Sequence, residues 1–305
     1  MKSPIQALLI VFSLLLFSNN STSQNKRSLQ SQLQELVADK KAMVCFSILD
    51  EDGNEVASMN NKKHCTLHSV FKLHISLAML SEIDKGRFAL DHPVSIQKNE
   101  LLPGMWSPLR DEHPEGGTFP ISKLIQYAVS VSDNVACDVM LRLLGGPIAV
   151  EKYMKKMGIK DISVRHTEEE INQNNELTHF NWTTAKAANK TLINFFENKK
   201  ELLSKESYDF IWKAMKDTET GVRRLKGQLP EGTVVAHKTG SSGTDEAGLT
   251  LGTNDIGIIF LPIGRFYYIS VFVSQSKENE DVNERIIADI SRLAFDHFMS
   301  PSPTK

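Results

Sequence analysis

The chain has 305 residues and a formal net charge of −2; 41% of its residues are hydrophobic, 24% charged and 8% aromatic. This hydrophobic share excludes a natively disordered chain, and 35 Lys and Arg against 37 Asp and Glu exclude the basic excess of most nucleic-acid-binding proteins. The length suffices for about two domains or one large two-lobed domain, and no internal repeat indicates a solenoid.

Residues 1–23 have the pattern of an export signal. Lys2 precedes an apolar run of about eleven residues from Ala7 to Phe17, and small polar residues lead to a predicted cleavage site near Ser23. The run is shorter than the roughly 20 residues that span a bilayer. We therefore expect an exported, periplasmic protein that is monomeric and free of the membrane after signal removal. A retained N-terminal anchor is the alternative.

The hydrophobic pattern predicts strands near both ends of the chain and helices between them. After a helix that starts at residue 29, the predicted strands are 43–49, 56–59, 234–238, 256–261 and 266–274, and a helix closes the chain. The predicted helices of the middle are 70–84, 121–127, 134–144, 149–157 and 183–198.

This order predicts an α/β (α+β) fold with two lobes. We expect residues 24–66 and 220–305 to form a mixed lobe whose antiparallel sheet contains both chain ends. Residues 67–219 are expected to form an all-α lobe. A cleft between two lobes is a common place for a small-molecule site.

The cysteines are Cys45, Cys65 and Cys137, and no Cys-x-x-Cys occurs, which excludes a zinc ribbon and a thioredoxin motif. Export allows one disulfide, and we predict Cys65–Cys137. His64 and His68 are four residues apart but lack the neighbouring Glu and the third ligand of a zinc site. We therefore expect no metal and no cofactor.

The first candidate for chemistry is Ser69, which begins a long apolar helix three residues before Lys72. Residues three apart share a helix face, so the amine can reach the hydroxyl and activate it as a nucleophile. Backbone N–H groups at a helix N-terminus also stabilise an oxyanion. Ser-x-x-Lys is a weak signal alone, because it occurs five times in this chain. A helix-capping serine with a solvated lysine is the alternative.

A second motif, Ser132-Asp133-Asn134, lies between two predicted helices. Such a run is a good turn and N-cap sequence. It also places a hydroxyl that can relay a proton beside an amide that can bind a substrate carbonyl.

A third motif, Lys238-Thr239-Gly240-Ser241, stands at the end of a predicted strand. A cation, two hydroxyls and a glycine at one strand end suit the binding of a substrate carboxylate and an oxyanion. A plain strand end with a turn is the alternative.

The three motifs together are far more specific than each alone. In this order they resemble the serine penicillin-recognising enzymes, which carry Ser-x-x-Lys, Ser-x-Asn and Lys-[Ser/Thr]-Gly. The resemblance extends over about residues 28–298 and implies a serine β-lactamase/D,D-peptidase-like fold.

The run from Glu168 to Asn172 resembles the Glu-x-x-[Leu/Ile]-Asn pattern of the omega loop in class A β-lactamases. The resemblance implies that Glu168 deprotonates a hydrolytic water and that Asn172 holds the same water. A cell-wall transpeptidase normally lacks this loop. Without the other motifs, an exposed acidic run would be the preferred interpretation.

Finer features resemble the PER/VEB-like extended-spectrum branch of class A. These are Trp106-Ser107-Pro108, Cys137-Asp138, Asn181-Trp182-Thr183 and Ser241-Ser242-Gly243. The resemblance makes Trp106 an aromatic gatekeeper at the cleft mouth.

The chain departs from most class A enzymes in two places. The omega-loop Arg–Asp salt bridge cannot form, because its positions are His166 and Asn181; an exchange between Asp138 and Asn181 is a candidate substitute. We expect a reshaped loop and a wider site. Ala247 occupies the place of a usual basic residue after the third motif, and Arg224 falls where some members supply that guanidinium.

The resemblance implies a hydrolase that opens β-lactam antibiotics, small-molecule penicillins and cephalosporins with an extended spectrum, through a serine acyl-enzyme, and so confers resistance. The implied catalytic residues are Ser69, Lys72, Ser132 and Glu168. The implied substrate-binding residues are Trp106, Asn134, Asn172, Arg224, Lys238, Thr239, Gly240 and Ser241. A D,D-peptidase of cell-wall synthesis and a non-catalytic penicillin-binding sensor are the alternatives. No nucleic-acid partner is expected.

Overall fold

The computed structural model describes residues 27–300, so the predicted signal segment 1–23 lies outside the described residues. In this part of the chain, the α-helices are α1 (Leu29–Val37), α2 (Phe71–Asp84), α3 (Pro108–Glu112), α4 (Ile121–Ser130), α5 (Asn134–Leu144), α6 (Pro147–Lys156), α7 (Glu168–Gln173), α8 (Ala185–Glu197), α9 (Lys205–Lys216) and α10 (Glu280–Met299). The strands are β1 (Met43–Leu49), β2 (Glu55–Met59), β3 (Cys65–Thr66), β4 (Pro93–Gln97), β5 (Gly116–Pro120), β6 (Ile162–Ser163), β7 (Trp182–Thr183), β8 (Val235–Ser241), β9 (Thr250–Phe260) and β10 (Phe266–Ser276).

A five-stranded antiparallel sheet joins both ends of the chain in the order β2-β1-β10-β9-β8. Its strands alternate between two apolar faces, because successive side chains of a strand point to opposite sides. In β1, Val44, Phe46 and Ile48 pack with α1 and α10 on one face, whereas Cys45 and Leu49 join the core of the helical region on the other. The predicted sheet built from both chain ends is therefore present, while the domain boundaries stay a prediction.

Helix α2 lies at the centre of the helical region, and every residue from Phe71 to Ser81 is buried. A helix that is apolar on all sides is expected in a core. A short 3₁₀ turn, His68–Val70, precedes it. The segment 67–219 also contains the short strands β4 to β7, so it is not purely helical.

Strand β9 differs from its prediction, because it starts at Thr250 instead of residue 256. The hydrophobic pattern did not indicate this half of the strand, because it contains polar residues. Two of them, Asn254 and Asp255, are nevertheless fully buried. The Asn254 side chain donates to the carbonyl of Thr66 at 2.9 Å, and the Asp255 carboxylate pairs with His237 at 2.9 Å. Buried polar groups persist where such partners exist. No helix within residues 27–300 is long and apolar enough to cross a membrane.

The predicted Cys65–Cys137 disulfide is wrong. All three cysteines are free and buried. Cys137 lies on α5, whereas the thiol of Cys65 on β3 donates to the carbonyl of Lys63 at 3.7 Å.

The packing of α10 on the sheet gives a stability test. We expect Ile290→Ala to lower the free energy of unfolding by about 2–5 kcal/mol, because Ile290 is fully buried between α10 and the sheet. The same change at Ile263, which is 53% exposed, is the matched control and should cost less than about 0.5 kcal/mol. Urea unfolding followed by circular dichroism measures both; equal losses would contradict the packing described.

Candidate active site

A cleft of about 750 Å³ opens between the β8 edge of the sheet and the helical region. This volume lies in the range of small-molecule sites. Lys72 and Lys238 are fully buried side chains in this region. The other predicted site residues all line the cleft: Ser69, Trp106, Ser132, Asn134, Glu168, Asn172, Arg224, Thr239, Gly240 and Ser241.

Lys72 connects three separate elements at the floor of the cleft. Its ammonium donates to the Ser69 hydroxyl at 2.5 Å and to the Asn134 side-chain carbonyl at 2.7 Å. It also forms an ion pair with the Glu168 carboxylate. Because the ammonium is buried, these contacts replace the water that a charge otherwise needs. The arrangement places one ammonium donor between a hydroxyl and a carboxylate.

Ser132 and Lys238 form a second pair across the cleft. Ser132 adopts a left-handed backbone conformation, with φ of 64°, at the junction of α4 and α5. Its hydroxyl accepts a hydrogen bond from the Lys238 ammonium at 3.1 Å, and that ammonium also donates to the carbonyl of Thr239 at 3.0 Å. Burial is the main reason that the pKa of Lys238 lies well below its usual value, and the charge of Lys72 lowers it further.

Glycines let the sheet approach the segment 67–70, which contains Ser69. A Cβ at Gly240 would lie 2.7 Å from the carbonyl oxygen of Leu67, and one at Gly252 would lie 2.5 Å from the His68 ring. Any side chain at either position would therefore force β8 or β9 away from Ser69. The predicted role of Gly240 in the site has this steric basis.

The omega loop is held by two side chains that accept backbone hydrogen bonds. Asp138 on α5 accepts from the N–H of Glu168 at 2.9 Å and of Glu169 at 2.8 Å. Asn181 accepts from the N–H of His166 at 3.0 Å and donates to the carbonyl of the same residue at 2.8 Å. Each side chain thus holds loop backbone in place of a salt bridge across the loop.

Asp138 is a buried carboxyl close to another one. Burial and the charge of Glu168 raise the pKa of Asp138 to about 7, although its two backbone N–H bonds and Lys72 act in the opposite direction. Two carboxyl groups in different environments, those of Asp138 and Glu168, therefore lie side by side in the site.

Trp106 forms the rim opposite the sheet and is 61% exposed. Its indole N–H donates to the carbonyl of Val131 at 2.9 Å, which fixes the ring at the cleft mouth. Asp133 holds the next residues of this loop, since it accepts from the Ser107 hydroxyl at 2.9 Å and from the N–H of Leu109 at 2.7 Å.

Arg224 lies behind the third motif and is buried. Its guanidinium pairs with Glu284 at 3.1 Å, donates to the carbonyls of Gly240 and Asn254, and donates to the Ser241 hydroxyl at 2.6 Å. All three of its nitrogens have partners, so it reaches the cleft mainly through Ser241. Ala247 is exposed in the turn before β9.

Sequence reasoning missed several residues that build the site. Glu284 supports Arg224, and the hydroxyl of Thr220 lies 2.6 Å from that of Thr239. His68 lines the cleft and contacts Thr66 at 2.9 Å; burial, with the charges of His179 and Lys72, lowers its pKa to about 4. None of these residues belongs to a motif, and only their contacts identify them. Within residues 27–300, no three His, Cys, Asp or Glu side chains are arranged to hold a metal ion.

Comparison with known proteins agrees with this geometry. The model of the β-lactamase enzyme family matches residues 28–298. The chain is 41% identical to β-lactamase VEB-1 of Pseudomonas aeruginosa over 98% of each protein. It is 40% identical to extended-spectrum β-lactamase PER-1 of the same organism, over 95% of this chain and 94% of that protein.

Solved structures give the same answer. The crystal structure of TLA-1 extended-spectrum β-lactamase matches with a TM-score of 0.86 and 44% identity, over 89% of this chain and 98% of that one. A class A β-lactamase from Bacteroides cellulosilyticus matches with a TM-score of 0.85 and 38% identity, over 89% and 99%. The chain belongs to the class A β-lactamases. The predicted family, its PER/VEB-like branch and the fold of the enzyme are thereby confirmed.

The two backbone bonds of Asp138 make it a test of omega-loop positioning. In Asp138→Asn, the single side-chain oxygen can accept from one of the two backbone N–H groups. The amide NH₂ then faces the second N–H, so that two donors meet. We expect kcat to fall about 10-fold or more, because small displacements of a reacting group are costly. The nearby surface substitution Glu169→Gln is the control and should leave kcat unchanged. Steady-state kinetics with a chromogenic cephalosporin measures both; a wild-type kcat in Asp138→Asn would exclude this positioning role.

Proposed function

We propose that this enzyme hydrolyses penicillins and cephalosporins, including extended-spectrum compounds, through a covalent intermediate on Ser69. The observation that carries the proposal is the Lys72 ammonium, which contacts both the Ser69 hydroxyl and the Glu168 carboxylate. One group thus links a nucleophile for acylation to a base for deacylation.

In acylation, the Ser69 oxygen attacks the strained lactam carbonyl. Its proton passes to Glu168 through a water, or to Lys72 after that ammonium has given a proton to Glu168. Backbone N–H groups of Ser69 and Ser241 hold the oxyanion, each worth about 3 kcal/mol by comparison with measured donors. The close packing of Gly240 on the segment before Ser69 supports this pairing of the two backbones.

Ring opening needs a proton on the departing nitrogen. Ser132 supplies it, and the contact with Lys238 supports this role, because an ammonium donor leaves the hydroxyl proton of Ser132 free to point at the substrate. Asn134 binds the acyl-amide side chain of the substrate, at a position fixed by its bond to Lys72.

The substrate carboxylate binds at the β8 edge, to Lys238, Thr239 and Ser241. Arg224 donates to the Ser241 hydroxyl, so that hydroxyl has its own proton available for the carboxylate. Arg224 therefore contributes charge and orientation from behind the motif.

Deacylation requires an activated water. Glu168 begins α7, and Asn172 follows one turn later on the same helix face, so both face the cleft. Glu168 removes a proton from the water and Asn172 holds it. General-base catalysis of this kind typically contributes about 10²–10⁴-fold.

Glu168 and Asn172 in the omega loop also favour hydrolysis over the alternative functions. A D,D-peptidase or a penicillin-binding sensor does not require a carboxylate beside the acylated serine. The loop held by Asp138 and Asn181 and the 750 Å³ cleft support a wide site for bulky acyl side chains. The proposed place of action is the periplasm, reached through the signal at residues 1–23, and the proposed state is a monomer.

The direct test is turnover of a chromogenic cephalosporin by the mature enzyme. We expect many turnovers per active site, with one burst equivalent or less preceding a fast steady state. A single stoichiometric burst followed by no turnover would instead support a D,D-peptidase or a sensor. Ser69→Gly, which lacks the proposed nucleophile, is the control and should give neither burst nor turnover.

The role of Glu168 has its own test. In Glu168→Ala the water loses its base, so acylation should remain measurable while an acyl-enzyme accumulates on Ser69. Mass spectrometry of the variant with a cephalosporin should detect this covalent adduct. Glu169→Ala is the matched control, since Glu169 is the next residue and its carboxylate is exposed. This variant should turn over the cephalosporin without an adduct. Fast turnover of Glu168→Ala with no adduct would remove Glu168 from the mechanism.

A further inference from the structure

The residue immediately before Ser69 makes contacts that the proposed mechanism does not use. His68 begins the 3₁₀ turn His68–Val70 and has a left-handed backbone conformation, with φ of 44°. A residue with a side chain adopts this conformation rarely, and it persists where the surrounding structure fixes it. Because His68 directly precedes Ser69, its conformation sets the direction in which the chain enters Ser69.

The His68 ring lies between the sheet and the omega loop. Its Nε2 is 2.9 Å from the hydroxyl oxygen of Thr66 on β3, and its Nδ1 is 3.5 Å from the hydroxyl oxygen of Thr178, near the end of the omega loop. The ring also lies against β9, where a Cβ on Gly252 would come within 2.5 Å of it. The ring therefore connects two strands to the loop, one residue before Ser69.

The donors and acceptors around the ring follow from the groups that it contacts. The Thr66 hydroxyl donates to the carbonyl of Leu251 on β9 at 3.4 Å, since a carbonyl can only accept. That hydroxyl has no second proton, so Thr66 accepts from the Nε2–H of His68. Burial is the main cause that lowers the pKa of His68 to about 4, so the ring is neutral at neutral pH and its Nδ1 carries no proton. Nδ1 therefore accepts from the hydroxyl of Thr178.

We propose that His68 positions Ser69 by tying the chain before it to the omega loop and to β9. The chain of hydrogen bonds runs from Thr178 through the two ring nitrogens of His68 to Thr66, and from there to Leu251. Both ring nitrogens are engaged with threonine hydroxyls, so His68 acts through Ser69 and not on the substrate. This inference rests on the proposed function, because its effect is measured on the reaction assigned to Ser69.

Other bonds hold the residues before His68 without using its side chain. The N–H of Leu67 donates to a carbonyl at the end of the omega loop at 2.9 Å, and the side chain of Asn254 donates to the carbonyl of Thr66 at 2.9 Å. Removal of the ring nitrogens therefore loosens the approach to Ser69 while these bonds keep the segment on the sheet. We expect a loss of rate and not a loss of the fold.

The test compares two variants that differ in their hydrogen bonds. His68→Phe keeps a planar ring beside Gly252 but has no ring nitrogen, whereas His68→Gln keeps one donor and one acceptor. We expect kcat for a chromogenic cephalosporin to fall about 10-fold or more in His68→Phe, because small displacements of a reacting group are costly. His68→Gln should recover most of this loss. A wild-type kcat in His68→Phe, or a His68→Gln that is no faster than His68→Phe, would overturn the proposal.

A double-mutant cycle tests the chain of hydrogen bonds itself. Thr178→Val removes the hydroxyl at the loop end and keeps the shape of the side chain, and it should lower kcat by about 3-fold or more. In the His68→Phe background the same change should cause no further loss, because the bond is already absent. Losses that multiply in the double variant contradict the proposal. If His68→Phe does not fold, Thr178→Val decides alone, and an unchanged kcat there is the contradicting result.

His64→Phe is the matched control, because it makes the same substitution at a histidine outside the cleft. His64 is exposed and stacks on Trp182, with ring centroids 3.5 Å apart. This variant should keep the wild-type kcat, and a loss equal to that of His68→Phe would remove the specific role of His68. Wild-type turnover distinguishes the two inferences. A wild type without turnover contradicts the proposed function, whereas turnover at equal rates in the wild type and in His68→Phe contradicts only the role of His68.

Discussion

The site depends on one buried positive charge. Lys72 is fully buried on the central helix, and an ammonium in that position is tolerable only with close polar partners. Ser69, Asn134 and Glu168 provide them from the start of α2, the start of α5 and the start of α7. Three stretches that are far apart in sequence must therefore meet at one atom. Replacing any partner leaves the charge less compensated, so these cleft residues also constrain the packing of the helical region around them.

The sheet completes the site from the other side by close backbone approach. Gly240 on β8 and Gly252 on β9 allow the strands to contact the segment that leads to Ser69. The same segment bonds to the end of the omega loop, where the N–H of Leu67 donates to the carbonyl of Asn181 at 2.9 Å. The segment 67–70, which contains Ser69, is thus held by the sheet and by the loop together. Rigid support of this kind is what fixes the position of a reacting group.

The motif residues could be singled out from the sequence because each motif couples residue type to a short spacing, and the structure brings them to one cleft. Ser69 with Lys72 and Glu168 with Asn172 share helix faces at spacings of three and four, which needs no tertiary information. The sequence did not reveal those residues that act through a partner distant in sequence. The buried polar Asp255 looked like a loop residue in the sequence, because its partner His237 lies on a different strand.

Arg224 shows how such distant partners change the chemistry of a predicted residue. At the sequence level it is a guanidinium for the substrate carboxylate, but in the fold Glu284 and two backbone carbonyls occupy most of its donors. Its remaining nitrogen donates to Ser241, which is exposed in the cleft. A guanidinium can only donate, so the Ser241 oxygen must accept and its own proton must point elsewhere. The buried charge therefore orients a neutral hydroxyl at the cleft surface, and Glu284 offsets the cost of burying that charge.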